Sequence, residues 1–321
     1  MDPVIVVGAG ISGVACTRVL HDAGVPVLLL DRGRRIGGRM ASRRFEGRPV
    51  DMGASYFTVS DPRFAAVVED WRARGLAREW TDTFTVLAPD AAASTKSGPM
   101  RWGASAGLRS LVEDLADGLP LEQDAVAQVR TSSAHGVDSP ALLVDDRPAS
   151  RVVLAMTDSQ ARALLGPGLE SEAEHLQRPS EPVIALVAWY AERLWDLDGA
   201  FVNGDPDLAW IADDGSRRGD GAPYLVAHST PELALPHLEA PQEAGPPMVA
   251  ALRRLLDLPE PVGTYVHRWS QARPTGEREA PFHLSDAGLG VCGDGWGPVS
   301  KVEGAWLSGT ALGEELVRRL G

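Results

Sequence analysis

The N-terminal thirty residues alternate between short apolar runs and a glycine-rich turn. Residues 3–7 form an apolar, β-branched run, which predicts a short buried strand. Residues 12–23 carry apolar positions at helical spacing and end at Gly24, and residues 25–30 form a second apolar run that ends at Asp31. This order of strand, glycine turn, helix and strand predicts a βαβ unit that binds a dinucleotide.

Helices and strands are predicted along the rest of the chain, and strands predominate after about Pro179. Helices are predicted over 64–73, 107–119, 158–165, 248–256 and 302–320. Strands are predicted over 125–129, 142–144, 151–155 and 288–293, and the small, polar residues 88–99 predict a loop. Further strands are predicted over 183–190, 200–203, 208–212, 224–228 and 262–269, with turns at 205–206 and 213–215. Their links are too short for crossover helices, which predicts a mostly antiparallel sheet.

The glycine turn and two features after it point to a dinucleotide cofactor. Gly8 begins a tight turn, Gly10 lets the backbone approach a pyrophosphate, and Gly13 lets the helix pack close to the strand. The N–H groups of the helix, which begins near Ile11 and Ser12, point at the phosphates. Asp31 is placed to accept the ribose hydroxyls, which disfavours a 2′-phosphate.

The segment after Asp31 resembles the second fingerprint of the superfamily that contains FAD-dependent amine oxidases and glutathione-reductase-like proteins. The residues that carry this resemblance are Gly37, Gly38 and Arg39. The glycines allow close passage along a diphosphate, and the arginine supplies a fixed cation. The resemblance implies FAD as the cofactor, and it assigns further cofactor contacts to Arg32, Met40, Gly53, Ala54, Ser55, Val126, Gly293, Asp294 and Val302.

The fold predicted from these features is α/β with two domains. A Rossmann-type FAD-binding domain over 1–60, 100–178 and 275–321 is interrupted by a mostly antiparallel substrate domain over 61–99 and 179–274. The 321 residues and 44% hydrophobic content suffice for a sizeable core. The net charge of −13 argues against nucleic acid or an anionic membrane as a partner.

Fewer features of the sequence bear on the cellular location and the oligomeric state of the protein. No secretory signal is recognised in the first residues, and the longest apolar runs are too short to span a membrane. A cytoplasmic protein, either a monomer or a weak dimer, is therefore expected. Cys16 and Cys292 are expected to be small buried side chains, and no metal site is predicted.

Several segments outside the glycine motifs resemble the renalase-like flavoproteins, in the same order along nearly the whole chain. They are residues 51–58, 198–202, 209–212, 267–269, 272–274 and 302–309. The resemblance implies a p-hydroxybenzoate-hydroxylase-like fold with noncovalent FAD. It also implies oxidation of misreduced NAD(P)H isomers, the 2-dihydro and 6-dihydro forms, with O2 as acceptor and with NAD(P)+ and H2O2 as products.

This chemistry needs little acid–base catalysis. A dihydropyridine becomes aromatic when it loses hydride, so the protein must mainly position the donor carbon. The candidate residues for this role are Tyr56, Trp210, His267, Trp269 and Trp296. Trp210 fits a core position as well as a cavity wall. His267 and Trp269 share one face of their strand, and that face fits the cavity and the packed core equally well. Trp296 lies in a glycine-rich loop, where a core position is not expected.

Two other functions remain open. The chain is also compatible with an amine oxidase or desaturase that acts on another small molecule, although its four tyrosines make a cage of two tyrosines around an amine hard to build. It is also compatible with an FAD-binding protein that has no turnover of its own. Peroxide production separates the last alternative from the others.

Overall fold

The computed structural model describes residues 2–132 and 142–321 of the chain. In chain order the strands are β1 (Val4–Val7), β2 (Val27–Asp31), β3 (Ser42–Phe45), β4 (Arg48–Asp51), β5 (Ala77–Ala88), β6 (Ala91–Ala104), β7 (Leu121–Gln123), β8 (Val129–Thr131), β9 (Leu142–Val144), β10 (Arg147–Ala149), β11 (Arg151–Ala155), β12 (Ser180–Trp189), β13 (Gly199–Val202), β14 (Leu208–Asp213), β15 (Tyr224–Ser229), β16 (Gly263–Pro274), β17 (His283–Leu284) and β18 (Leu289–Cys292). The helices are α1 (Ile11–Asp22), α2 (Pro62–Ala73), α3 (Leu108–Leu115), α4 (Asp158–Leu164), α5 (Asp214–Arg218), α6 (Pro231–Ala234), α7 (Gly245–Leu256) and α8 (Val302–Leu320). Short 3-10 segments occur at Gly38–Met40, Glu170–His175, Leu235–His237 and Pro241–Ala244.

The chain forms two compact units. Unit 1 contains Met1–Gly38, Val112–Ser180 and Pro274–Gly321, and unit 2 contains Arg39–Leu111 and Glu181–Arg273. This division differs from the predicted domains, because 39–60 and 100–111 belong to unit 2. The reason is that Asp51 is held by arginines of α5, and β6 continues to Ala104 within the sheet of unit 2.

Unit 1 is built on a six-stranded sheet in the order β17-β18-β11-β1-β2-β7. The pairs among β18, β11, β1, β2 and β7 are parallel, and β17 is antiparallel to β18. The predicted βαβ unit is therefore confirmed. A small antiparallel sheet, β10-β9-β8, adds to the same apolar core.

Helices α1 and α8 of unit 1 pack in close contact through glycine. A Cβ built on Gly309 would lie 1.9 Å from the carbonyl oxygen of Ser12, and one built on Gly313 would lie 2.9 Å from the Cβ of Val19. Only residues without a side chain allow the helices to approach this closely. The last helix is thereby fixed against the glycine-turn helix.

Unit 2 is built on a seven-stranded sheet in the order β16-β12-β15-β14-β13-β5-β6. The pairs β12–β15, β15–β14, β14–β13 and β5–β6 are antiparallel, and β13 is parallel to β5, which confirms the prediction of a mostly antiparallel sheet. One face of this sheet packs against an apolar cluster that includes Met248 and Leu252 of α7. The opposite face carries Phe84, Trp210 and Val226.

Three local predictions are wrong. Residues 88–99 were expected to form a loop, but β5 and β6 pair as a long hairpin whose turn lies at Pro89 and Asp90. The small residues of β6 are exposed, so its strand gives no apolar signal. Residues 125–129 were expected to form a strand, but β8 begins only at Val129. The turn expected at residues 213–215 is the start of the buried helix α5.

Candidate cofactor site and aromatic face

The glycines of the first turn have the geometry that the dinucleotide motif requires. Gly8 has φ +106°, and a Cβ there would lie 2.6 Å from the carbonyl oxygen of Ala155. A Cβ on Gly13 would lie 1.9 Å from the Gly8 carbonyl oxygen, so both positions require glycine. A Cβ on Gly10, by contrast, would meet no atom closer than the Gly38 Cα at 4.0 Å. The half-exposed Gly10 therefore leaves open space beside the turn, as a bound pyrophosphate needs.

The first turn of α1 is suited to an anion. Ile11 and Ser12 are buried at the start of the helix, and the turn contains no acidic residue. The positive end of the helix dipole and the unpaired N–H groups of the first turn favour phosphate at this position. The residues present therefore fit the diphosphate of FAD.

Asp31 lies at the end of β2 beside the glycine turn. One carboxylate oxygen accepts the Ala9 N–H at 2.6 Å, and the other accepts the Gly33 N–H at 2.7 Å. A carboxylate has about four acceptor sites, so lone pairs remain for ribose hydroxyls. The adjacent Arg32 is exposed. The ribose contact of Asp31 and a cofactor contact of Arg32 stay predictions.

The second glycine pair approaches the first turn within unit 1. The Gly37 N–H donates to the Ala9 carbonyl at 2.9 Å, and a Cβ on Gly38, which has φ +52°, would lie 3.3 Å from the Gly10 Cα. In unit 2, the half-buried Arg39 donates to the Ala272 carbonyl at 3.0 Å, and Met40 is buried. The glycine pair thus borders the open side of Gly10.

Val126, predicted to bind the adenine through a strand backbone, lies outside any strand. It packs at the edge of the unit 1 core, and the next two amides, of Ala127 and Gln128, donate to the Asp145 carboxylate at 3.1 and 2.9 Å. Asp145 is held at φ +52° in the turn between β9 and β10. The Asp145 side chain therefore pairs with the backbone amides of this segment in place of a neighbouring strand. The apolar pattern of residues 125–129 does not indicate this pairing.

The late glycine motif lies at the end of β18. Gly293 adopts φ +151° and donates its N–H to the Ser308 hydroxyl at 3.0 Å, and Asp294 accepts the Ser300 hydroxyl at 2.7 Å. Val302 begins α8 as predicted, after Lys301 at the cap position. The cofactor contacts of Gly293, Asp294 and Val302 stay predictions.

Trp296 is a core residue of unit 1, so the expectation that it avoids the core is wrong. It is 5% exposed and packs in the apolar cluster beside the main sheet. The guanidinium of Arg278 lies 3.8 Å from the Trp296 ring centroid, and the His283 ring stacks on it at 6.0 Å. Gly297, with φ +90°, turns the chain directly after Trp296, and the inward direction of the ring is not apparent from the sequence.

In unit 2, residues 51–56 are held by a buried ion network that sequence reasoning missed. We call it the Asp214 network, and its members are Arg48, Asp51, Asp214, Arg217 and Arg218. Arg217 donates to the carbonyls of Asp51 and Ser55 at 3.0 and 2.8 Å and pairs with Asp214. Arg218 donates to the Asp51 carboxylate at 3.0 Å, and Arg48 donates to Asp214 at 2.6 Å.

The arginines of the Asp214 network determine the charge of its central carboxylate. Burial acts to raise the pKa of Asp214, but Arg217, Arg218 and Arg48 outweigh burial and hold the pKa well below its ordinary value. The carboxylate is therefore ionised across the physiological range. Arg217 of this network binds the backbone carbonyls at both ends of residues 51–55. The available signal was a pair of aspartates followed closely by a pair of arginines in residues 213–218.

The glycine of this segment allows a close backbone contact. A Cβ on Gly53 would lie 2.0 Å from the carbonyl oxygen of Arg39, which also accepts the Ala54 N–H at 2.9 Å. The hydroxyl of Ser55 accepts the Trp210 indole N–H at 2.9 Å. Contacts of Gly53, Ala54 and Ser55 with the cofactor stay predictions.

Four of the five predicted substrate-positioning residues come together in unit 2. The Tyr56 ring lies 5.8 Å from the Trp210 ring, and the His267 ring lies 4.5 Å from the Trp269 ring. Trp210 is nearly buried and packs 4.8 Å from Phe84, which favours its core role. Trp296 belongs to unit 1.

His228 links these two pairs and was missed in the sequence. It pairs with Trp210 across neighbouring strands, and its Nε2 donates to the Met52 carbonyl at 3.0 Å. The Trp269 indole donates to the same carbonyl at 3.1 Å. Burial lowers the pKa of His228 to about 4, so the ring is neutral at pH 7. We call Tyr56, Trp210, His228, His267 and Trp269 the aromatic group.

Two structural features bear on other classes of function. Across residues 2–132 and 142–321, no helix is both long and apolar enough to cross a membrane. Within the same residues, no group of three or more His, Cys, Asp or Glu side chains is arranged to hold a metal ion.

Comparison with known proteins identifies related sequences. Residues 6–71 match a profile described as an NAD(P)-binding Rossmann-like domain, and residues 82–312 match that of the flavin containing amine oxidoreductases. Polyamine oxidase 5 of Oryza sativa subsp. japonica is 49% identical over 53 residues, and amine oxidase [flavin-containing] B of Rattus norvegicus is 40% identical over 68 residues. These matches cover 16% and 21% of the chain and 11% and 13% of those two proteins.

Similar solved structures cover nearly the whole chain. Cyclohexylamine oxidase from Brevibacterium oxydans IH-35A has a TM-score of 0.77 at 14% identity, and putrescine oxidase bound to putrescine has 0.74 at 15%. Each covers 99% of both chains. At this identity the likeness establishes the two-domain α/β fold alone. The sequence profile spans most of the chain, and on that basis the protein belongs to the flavin-containing amine oxidoreductase family, with FAD as its cofactor.

Proposed function

We propose that the protein is an oxidase of misreduced dihydronicotinamides, the 2-dihydro and 6-dihydro isomers of NAD(P)H. In the overall reaction the dinucleotide, O2 and one proton give NAD(P)+ and H2O2. FAD, when bound, would supply the chemistry of hydride acceptance and of electron transfer to O2. The residues that would hold FAD in unit 1 are those around Gly10, Asp31, Gly38 and Asp294.

The observation that carries this proposal is the charge around the aromatic group. Arginines are the cationic neighbours of its titratable members: Arg101 beside Tyr56, Arg217 and Arg273 beside His228, and Arg43 and Arg268 beside His267. Within the described residues, no member of the aromatic group has a carboxylate partner. Both histidines have lowered pKa values, mainly through burial, so their rings stay neutral at pH 7.

Such surroundings suit a planar substrate that carries phosphate better than a protonated amine. Arg217 is paired with Asp214 and Arg268 lies 3.8 Å from Glu239, but no ion pair is found for Arg43, Arg101 or Arg273 among the described residues. A cationic amine near these three guanidinium groups is repelled, whereas the phosphates of a dinucleotide are attracted. Aromatic rings stack with a flat dihydropyridine and hold it in place. The aromatic group therefore supports positioning of a hydride donor, with no base required.

Noncovalent attachment of FAD is part of the proposal. Cys16 and Cys292 are both fully buried, and burial raises the pKa of Cys292 to about 12 and that of Cys16 well above its usual value. Neither thiol is ionised at neutral pH, and the thiolate is the nucleophilic form. Acid precipitation of the yellow protein should leave the flavin in the supernatant; flavin retained in the pellet would contradict this part.

The test is anaerobic reduction of the flavin. The holoenzyme is mixed with the 2-dihydro and 6-dihydro isomers, with ordinary NADH as the control, and loss of flavin absorbance is followed. Rapid bleaching by the isomers, with little by NADH, is expected. Bleaching by neither isomer would refute the proposal.

Oxidation of a small amine is the second candidate, because the family profile and the amine oxidases among the relatives favour it. Putrescine and cyclohexylamine are the probes for this alternative. Bleaching by an amine and not by the isomers would establish it. No bleaching by any donor, together with no peroxide in air, would instead favour an FAD-binding protein without turnover.

A further inference from the structure

Arg43 is a cation in strand β3 that is fixed against an aromatic side chain of unit 2. Its guanidinium donates to the Tyr265 hydroxyl at 2.7 Å and lies 4.2 Å from the centroid of the Tyr265 ring. Arg43 is exposed, and within the described residues it forms no ion pair. A guanidinium has several N–H donors, and the contact with Tyr265 uses one of them. The other donors are available to a ligand.

The side chains of β3 alternate between two faces, which gives two adjacent arginines different surroundings. Arg43 and Phe45 share one face, and Arg44 lies on the other. Phe45 contacts the Tyr265 ring edge to face, with 5.4 Å between the centroids. Arg44 is also exposed, but it donates to the Gly47 carbonyl at 2.6 Å. Only Arg43 is therefore held beside an aromatic ring.

Strand β16 connects the Arg43 contact with the aromatic group. Tyr265, His267 and Trp269 alternate along β16 and share one face, since Tyr265 and Trp269 pack in one apolar cluster and Val266 packs in another. The His267 and Trp269 rings lie 4.5 Å apart. Two residues of a strand span roughly 7 Å, which is the step from His267 to Tyr265. Arg43 also contributes to the lowered pKa of His267, after burial, which agrees with this proximity.

A dinucleotide carries its pyrophosphate one ribose away from the nicotinamide ring. A ring held by His267 and Trp269 would thus have its phosphates one step along the same face, at Tyr265 and Arg43. The planar guanidinium is the side-chain group best matched to phosphate, because it can donate two parallel hydrogen bonds. The net charge of the chain is −13, so phosphate is repelled by the protein as a whole and needs a local cation to bind.

We propose that Arg43 binds the pyrophosphate of the substrate and so selects dinucleotides over the corresponding ribosides. Tyr265 holds the guanidinium in place, and Phe45 supports the Tyr265 ring. This inference rests on the proposed function, and it names the residue that recognises the part of the substrate beyond the nicotinamide ring.

The first test compares substrates with and without phosphate. The holoenzyme is assayed with the 2-dihydro and 6-dihydro isomers of NADH, and with the same isomers of reduced nicotinamide riboside, which lack the pyrophosphate. Arg43→Gln should raise the KM for the dinucleotides about threefold to tenfold, the effect of one charge-assisted contact at an exposed site. The kcat values and the KM for the ribosides should stay unchanged, because the nicotinamide end is bound elsewhere.

Arg44→Gln is the matched control, because it removes the same charge from the next residue on the opposite face of β3. Its KM for the dinucleotides should stay within about twofold of the wild-type value, since an exposed charge acts weakly through solvent and salt. Equal increases in Arg43→Gln and Arg44→Gln would indicate attraction by surface charge in general and would overturn the inference. An unchanged KM for the dinucleotides in Arg43→Gln would overturn it as well.

Binding of ADP-ribose gives a second test that requires no turnover. This probe carries the pyrophosphate without the nicotinamide, and in the holoenzyme FAD already occupies its own diphosphate site. The Kd from tryptophan fluorescence should rise about threefold to tenfold in Arg43→Gln and stay unchanged in Arg44→Gln. No binding to the wild type, or equal Kd values in wild type and Arg43→Gln, would refute the inference. If ADP-ribose binds as expected but no isomer reduces the flavin, the proposed function fails and the pyrophosphate contact of Arg43 stands.

Discussion

Gly10 and Gly13 allow the cofactor role of the glycine turn to be separated from its structural role. They lie three residues apart in one motif, yet a methyl group at each would meet different surroundings. At Gly13 the added Cβ would be 1.9 Å from the Gly8 carbonyl oxygen and 2.9 Å from the Ala155 Cβ. At Gly10 it would meet only the Gly38 Cα, at 4.0 Å. Gly13→Ala should therefore damage the fold, and Gly10→Ala should damage FAD binding.

The magnitudes follow from these distances. The clash at Gly13 is about 1.5 Å inside the 3.4 Å at which ordinary contact begins, and its partner is backbone. Overpacking of this kind costs about 1–3 kcal/mol or more of unfolding free energy. Gly10 has φ −76° and ψ 174°, which alanine adopts without strain, so the fold should change by less than about 1 kcal/mol. Its methyl group would occupy the space left for the pyrophosphate, and the Kd for FAD should rise at least about tenfold.

The assay needs both forms of the protein. Urea unfolding of the FAD-depleted proteins measures stability without the contribution of ligand binding, and titration with FAD measures the Kd. Wild-type affinity in Gly10→Ala would show that the diphosphate does not pass this residue. Wild-type unfolding in Gly13→Ala would contradict the close contact between α1 and the turn.

Three further predictions concern side chains. Asp214→Asn leaves buried guanidinium groups with too few counter-ions and should lower the free energy of unfolding in urea by about 3–5 kcal/mol. Asp220 lies outside the network, is more exposed and pairs with Arg48 at 2.8 Å, so Asp220→Asn should cost less than about 1 kcal/mol. The pKa of His228 is about 4 in the folded protein and about 6.5 in the unfolded chain. The contribution of the neutral ring to the free energy of unfolding is therefore fully present above pH 6.5, and about 3 kcal/mol of that free energy is lost as the pH falls to 4. Urea unfolding across this range should show a shallower pH dependence in His228→Gln than in the wild type, and an unchanged slope would contradict the shift. Trp296→Ala should lower the same free energy by about 3–5 kcal/mol, as expected of a core residue; a loss below about 1 kcal/mol would place the ring outside the core.

The parts of the fold that could be predicted from sequence are those in which local backbone geometry or apolar periodicity decides the structure. Gly8 needs a positive φ, and Gly13 needs the absence of a Cβ, so the motif specifies a strand, a turn and a helix by itself. The apolar run of β12 and the helical spacing of α8 gave their elements for the same reason.

The parts that could not be predicted depend on partners distant in sequence. Arg217 binds the carbonyl of Ser55, 162 residues away, and no periodicity indicates which polar run becomes the buried helix α5. The first nine residues of β6, 91–99, are mostly small and all exposed, and they form a strand because β5 pairs with them. Trp296 occupies the core because its loop turns inward, and hydrophobicity alone does not distinguish that position from an exposed aromatic one.

The difference between local backbone geometry and contacts distant in sequence also limits how much of the function can be inferred from sequence motifs. The FAD motifs depend on backbone geometry, and many enzymes with different substrates share them. Substrate choice depends on which charges the fold leaves unpaired. In unit 2 the buried carboxylates are neutralised by arginines, whereas the buried Arg101 guanidinium donates to the Asp82 carbonyl and lies over the Phe84 ring. A protonated amine would add a second positive charge near this guanidinium, whereas the phosphates of a dinucleotide would be attracted to it. The charge balance around Tyr56 therefore separates the two proposed substrate classes where the family motif does not.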